Sequence, residues 1–341
     1  MSQPFSFMHW QPNTGKQTLA MMVLLLTTSM VLAETEIEPP PLIGGHNPEH
    51  RELVSVPGGV FPQHALGGEK FRHQVNDFAI GRYPVTYELW YTVRQWAEDN
   101  GYTFDRKGLE VLRSDEGAAP TEEGRFHPVT RVTWNDVIVW TNAYSEIAGL
   151  QPVYYLDSEH SELATDATDL PTMQNDWVDW SATGYRLPTE GEWQYAASWR
   201  GSETSEHAVE QPDGELLYWA APDWPSGAEA SHEDEAASDE VAWYRANADR
   251  QVQPVGKKQP NQLGLYDMSG NAGEFVWDWS ADLPTSDQLD YRGAESGDTR
   301  LFRGGSWHHN ANALSVGHRN NSLRPAGSAP MIGFRVAQTR Q

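Results

Sequence analysis

The 341-residue chain contains no cysteine. That absence excludes disulfides, thiolate nucleophiles, thiolate zinc sites and iron–sulfur clusters. Basic residues are scarce: 24 Lys and Arg stand against 48 Asp and Glu, a formal net charge of −24. Such a surface repels phosphate backbones and anionic lipid, so nucleic acid is not an expected partner. The chain also lacks an uninterrupted apolar run of the roughly 20 residues that a membrane-spanning helix needs. Its most apolar stretch, Leu19 to Leu26, lies in a leader whose single charged residue is Lys16. Val31 and Ala33 are small enough for cleavage after Ala33, so residues 1–33 read as a signal peptide. The mature protein is then periplasmic or secreted, with no stable membrane insertion. HEDEA (232–236) is not HExxH, and no GxSxG elbow, phosphate loop, EF-hand pattern or tandem repeat is present.

What is present suits a folded domain: 38% hydrophobic residues, including 15 Trp. Residues 34–52 contain PPPLIGGHNPEH and read as a Pro/Gly-rich linker, with the domain spanning 53–338. LVSVPGGVF (53–61) and NDFAIGRYPVT (76–86) read as extended segments. Three helices follow from caps and spacing. Thr86 precedes a face of Leu89, Trp90, Val93 and Ala97; Thr133 precedes Val137, Trp140 and Tyr144; Thr189 and Glu192 have capping-box spacing. Residues 158–180 and 201–240 lack periodicity, and SHEDEAASDE (231–240) reads as an exposed insertion. The Trp excess, including Trp219, Trp224, Trp243, Trp277, Trp279 and Trp307, suits either an aromatic core or stacking on sugar rings.

Eight segments occur in one order along the chain: PGG (57–59), IGRYPVT (80–86), HPVTRVTWNDV (127–137), GLQPVYYL (149–156), GYRLPTEGEWQYAA (184–197), PVGKKQPNQLGLYDMSGN (254–271), RGGSW (303–307) and IGFR (332–335). Together they resemble the formylglycine-generating (sulfatase-modifying factor) family. The resemblance implies an irregular single-domain α+β fold related to C-type lectins, with little regular secondary structure. It also implies oxidation of a substrate cysteine at copper held by two cysteines shortly after the GGS segment. The matching positions here are His309 and Leu314, so copper is not an expected cofactor.

Between RGGSW and IGFR the residues that remain to bind a ligand are Trp307, His308, His309, Asn310, His318 and Arg319. His308 and His309 would face opposite sides of a strand, which disfavours a shared metal. Two readings stay open. One is a binding or accessory module for envelope proteins, peptides or glycans. The other is an oxidative maturation enzyme acting on an exported protein or peptide, with His309, His318 or Glu274 as catalytic candidates. The resemblance further implies a structural calcium held by Asp267, Gly270, Ala272 and Glu274, and a second site using Asn247 and the Ala248 carbonyl. Oxygen donors of that kind are what calcium takes.

Overall fold

The computed structural model describes residues 48–68, 70–201, 208–319 and 322–340. The expected signal peptide, and the expected linker up to residue 47, lie outside the described residues. The end of that linker is folded. Pro48–Arg51 forms a 3-10 turn, Arg51 is buried, and Glu52 pairs with Arg82 at 2.6 Å. This ion pair ties the segment ahead of Leu53 to the chain just after the first sheet's inner strand.

Strands β1 (Leu53–Val56), β2 (Gly59–His64), β3 (Lys70–Val75) and β4 (Phe78–Gly81) precede helices α1 (Tyr87–Asp99) and α2 (Trp134–Ile147). Helix α3 (Glu190–Ser198) runs directly into β5 (Trp199–Gly201), followed by β6 (Ala208–Glu210), β7 (Leu216–Trp219) and helix α4 (Glu235–Val241). The C-terminal third holds β8 (Gly273–Trp279), β9 (Gln288–Leu289), β10 (Arg300–Arg303), β11 (Ser322–Leu323), β12 (Ile332–Phe334) and β13 (Ala337–Thr339). The sheets are small: β1-β4-β13, β11-β10-β8-β12, β2-β3-β9 and β5-β7-β6. This is the mixed α+β class with sparse regular structure that the sequence implies.

The helix starts are where the caps put them. Thr86 accepts from the Leu89 N–H, and both Thr133/Asp136 and Thr189/Glu192 close complete capping boxes. Each box satisfies two backbone donors that a helix start otherwise leaves unpaired. Helices α1 and α2 pack through the stacked rings of Trp90 and Trp140, with centroids 5.7 Å apart. The extended segment 53–61 breaks at Gly58, whose side-chain direction is blocked: a Cβ there would lie 2.5 Å from the Val75 carbonyl oxygen. Strand β8 is buried along its whole length, pairing antiparallel with β10 and parallel with β12. It carries Glu274 and Asp278 into the interior.

The acidic stretch is only partly an exposed insertion. Asp234 caps α4 by accepting from the Ala237 N–H, and Val241 packs with Ala228, Tyr244 and Leu314. Ser238 and Val241, three residues apart on α4, are its buried face despite the surrounding charge. At the other end, β13 pairs with β4 as far as Thr339, one residue beyond the expected boundary.

Candidate functional site

Strand β10 ends by turning Gly304 and Gly305 into left-handed conformations, φ 88° and 72°. A Cβ at either would lie 2.7 Å from a carbonyl oxygen, of Met268 or Ala313, so the turn accepts no larger residue. It lays Ser306 in the interior and Trp307 beneath the surface, with the indole N–H on the Pro330 carbonyl at 3.3 Å. His308 is exposed and edge-on to Trp307, ring centroids 5.3 Å apart. His309 folds back: its N–H donates to the Ser306 carbonyl at 3.0 Å, and Nδ1 lies 2.7 Å from Ser306 Oγ. Residues 307–309 thus form a turn and not a strand, and the opposite-face expectation for the two histidines does not apply. Burial, reinforced by His308, lowers the His309 pKa from its ordinary value and keeps the ring neutral near pH 7. Asn310 is exposed and opens the 3-10 turn Ala311–Leu314 without a side-chain cap bond.

The remaining candidates serve the scaffold beneath this turn. The His318 carbonyl accepts from Arg303, which also donates to the Val316 carbonyl at 2.6 Å. Arg319, expected to meet a ligand, donates to both carboxylate oxygens of buried Glu190 at 2.9 and 3.1 Å. Trp307 is 7% exposed and offers no open ring face. Of the six expected ligand-binding residues, His308 and Asn310 reach solvent most fully. Among the described residues no group of three or more His, Asp or Glu is arranged to hold a metal.

Sequence reasoning missed the ionisable cluster on which the site rests. Glu190 opens α3, and its N–H donates to Asp278 Oδ2 at 2.6 Å. Burial, then the charge of Glu190, pushes the Asp278 carboxyl up to about 8. Burial also acts on Glu190, but Arg303 and Arg319 outweigh it and hold that carboxylate low. Nearby, His73 bonds Gln63 through Nδ1 and accepts the Tyr291 N–H through Nε2, so it carries its proton on Nδ1. Burial lowers its pKa to about 4. Arg300 lies 3.9, 4.7 and 3.4 Å from the ring centroids of Trp134, Trp277 and Trp279 and donates to the Trp277 carbonyl. RLFR (300–303) carries no period-2 alternation that would announce this, because every residue of the strand is buried.

Residues 42–340 match the family described as the sulfatase-modifying factor enzyme 1-like domain, FGE-sulfatase. The chain belongs to this family. It is 29% identical over 300 residues to the chaperone protein LppX of Paenibacillus barcinonensis, covering 85% of this chain and 90% of that one. It is 30% identical over 332 residues to the formylglycine-generating enzyme of Bos taurus, covering 86% and 76%. Among solved structures, the Treponema denticola variable protein 1 superposes with a TM-score of 0.61 at 28% identity, covering 84% of this chain and 95% of that one.

Within this FGE-sulfatase framework, copper does not fit the residues present, and the side chains implied for calcium have protein partners. For copper, no thiolate exists anywhere in the chain, His309 is bonded to Ser306, and Leu314 is a fully buried hydrocarbon. For calcium, the two side-chain donors of the first site, Glu274 and Asp267, are bonded to protein groups. Both oxygens of Glu274 are taken by Arg335 at 2.6 Å, and one also accepts from the Trp193 indole at 2.7 Å. Asp267 accepts from the Gly256 N–H at 2.8 Å and from Asn271 Nδ2 at 3.2 Å. Gly270 pairs with Trp243 in a β-bridge, and Ala272 packs with Val252 and Trp307. In the second site, Asn247 Oδ1 accepts from the Tyr244 N–H at 2.8 Å, and the Ala248 carbonyl accepts from Gln251 N–H and Gln253 Nε2. Glu274 is equally unavailable as a general base, since its lone pairs already face a guanidinium.

Proposed function

We propose that this family member is an exported accessory factor that binds a polypeptide partner, and that it carries no formylglycine-generating activity. The observation that carries the reading is the pair of residues where the family's resemblance places copper ligands. His309 is a neutral ring bonded to Ser306, and Leu314 is part of the core. A scaffold that keeps the family's turn and packing while replacing its reactive sulfur retains a means of presenting a surface. Export rests on the leader at residues 1–33 and is part of the same proposal.

A polypeptide is favoured over a glycan because the six tryptophans that suited sugar stacking in the sequence are either buried or carry a cation over the ring. Trp219, Trp277, Trp279 and Trp307 are buried. Of the two partly buried ones, Trp224 is covered by Arg200 at 5.4 Å and Trp243 by Lys258 at 4.1 Å. The exposed polar groups on the turn are His308, Asn310 and Asn312, which suit hydrogen bonds to extended backbone. Similarity to a protein described as a chaperone, over most of both chains, supports the same reading.

The test is recovery of activity when a denatured exported hydrolase from the same organism is diluted into buffer with or without stoichiometric protein. The reading expects higher recovery with the wild type than with the double variant His308→Ala/Asn312→Ala, both variants melting alike. Equal recovery with and without the protein, for every exported client tried, contradicts it.

A further inference from the structure

Four arginines that make no ion pair surround the segments packed on Trp307. Trp307 packs with Ala248, Val252 and Ala272, and Val111, Trp243 and Met331 rest against that cluster. Arg250 stands midway between Ala248 and Val252, Arg113 two residues after Val111, and Arg245 two residues after Trp243. The Arg245 N–H donates to the His309 carbonyl at 3.0 Å, so this arginine borders the turn itself. The Arg131 N–H donates to the Ala329 carbonyl at 3.1 Å, one residue before Pro330, whose carbonyl takes the Trp307 indole. All four arginines are exposed, as are His308 and Asn310.

In a chain with 48 Asp and Glu against 24 Lys and Arg, an arginine at the surface has acids in ready supply. Arg106 reaches Asp105 and Glu116, Arg125 reaches Glu88 and Glu122, and Arg292 reaches Asp290. Arg113, Arg131, Arg245 and Arg250 make no ion pair and no side-chain hydrogen bond among the described residues. Asp115 and Asp249, beside Arg113 and Arg250 in sequence, are exposed and pair with neither. Two of the four arginines are also held in left-handed backbone, Arg131 at φ 57° and Arg250 at φ 62°. Glycine or asparagine adopts that conformation more easily, so the fold gains nothing from arginine at either place. What these residues add is positive charge beside the turn.

We propose, resting on the polypeptide-binding reading above, that this face binds an acidic segment of its partner, with Arg113, Arg131, Arg245 and Arg250 taking the carboxylates. A guanidinium holds a carboxylate through paired N–H···O bonds, and all four have that capacity free. His308 and Asn310, on the turn that Arg245 borders, supply hydrogen bonds for the partner's backbone. The net charge of −24 argues against a long polyanion. Nucleic acid or an anionic bilayer extends past the arginines onto acidic surface and is repelled, whereas a short acidic segment need not. The same contrast of charge steers such a segment to this face, more strongly at low salt.

The experiment uses the mature full chain and a fluorescein-labelled oligoglutamate peptide, read by anisotropy. A Gly/Ser peptide of equal length, a single-stranded DNA oligonucleotide and phosphatidylglycerol vesicles are the comparisons. The wild type is expected to bind oligoglutamate at least about tenfold more tightly than any of these, and less tightly as salt rises. Arg131→Gly/Arg250→Gly is expected to bind it at least about fivefold more weakly while melting like wild type, because glycine accepts both left-handed positions. Lys70→Gln/Arg72→Gln removes the same charge from exposed positions of β3 and is expected to bind as wild type does. Oligoglutamate bound no better than the Gly/Ser peptide, a loss shared equally by the two double variants, or DNA or vesicles bound as tightly as the peptide would each overturn the proposal. Client recovery without oligoglutamate binding overturns acidic recognition alone, whereas no recovery with any client overturns the polypeptide reading on which it rests.

Discussion

The backbone N–H of Glu190 points at the carboxylate of Asp278, 2.6 Å away, at the start of α3. Two acidic side chains thus share a buried space, and they are driven apart in protonation. Arg319 and Arg303 attend Glu190 at 2.9 and 3.7 Å and keep it ionised, whereas Asp278 is buried next to that charge and holds its proton. The turn bearing His308 and Asn310 is anchored through Arg303 and Arg319 to this pair.

Stability should therefore depend on pH from both sides. Asp278 is raised to about 8 in the fold, against about 4 in the unfolded chain, so its contribution is complete below about pH 4 and is lost as pH rises toward 8. His73 is lowered to about 4 against about 6.5 unfolded, so its contribution is complete above about pH 6.5 and is lost as pH falls toward 4. Urea denaturation from pH 4 to 9 should show Asp278→Asn losing the alkaline slope, which is at most about 1.4 kcal/mol per pH unit for one proton. An unchanged slope would show that Asp278 is ionised throughout.

The capping box of α3 doubles as a buried ion pair. Glu192 receives Arg186 Nη1 and Nη2 at 2.7 and 2.6 Å while also accepting the Thr189 N–H. Thr189→Ala should cost about 1 kcal/mol, the usual value of a lost cap. Glu192→Ala should cost about 3–5 kcal/mol, because it leaves a buried guanidinium uncompensated. Equilibrium denaturation measures both, and equal costs would mean that the ion pair adds nothing to the cap.

Export makes a separate expectation. The leader's single charge, apolar run and small residues at positions 31 and 33 give a mature chain beginning at Glu34. Intact-mass spectrometry of protein from its native cell decides this. A mass including Met1, in a cytoplasmic fraction, contradicts it.

The helices were legible because each is announced locally: Thr86, Thr133 and Thr189 are caps whose partners lie three residues on. Helix α4 was not, since its cap, Asp234, is hidden among other acids and its buried face rests on Leu314, far along the chain. The fold was readable from the ordered motifs. The site was readable only as a place. RGGSW located the turn, but Arg319 was assigned to a ligand because its partner Glu190 is 129 residues distant. The ion pair of Glu274 with Arg335, 61 residues apart, is likewise not announced by anything near either residue in sequence. Buried charges at long separation are the part of this protein that composition and spacing do not disclose.

The central claim is that this chain keeps the family's fold without its oxidative chemistry. Its most direct test is incubation of the purified mature protein with a sulfatase-type CxPxR peptide, copper and oxygen, followed by mass spectrometry of the peptide. The account predicts that the peptide's cysteine stays unconverted, at the level of an enzyme-free control, because no thiolate is present and the second ligand position is Leu314. An aldehyde mass rising with protein concentration would contradict it.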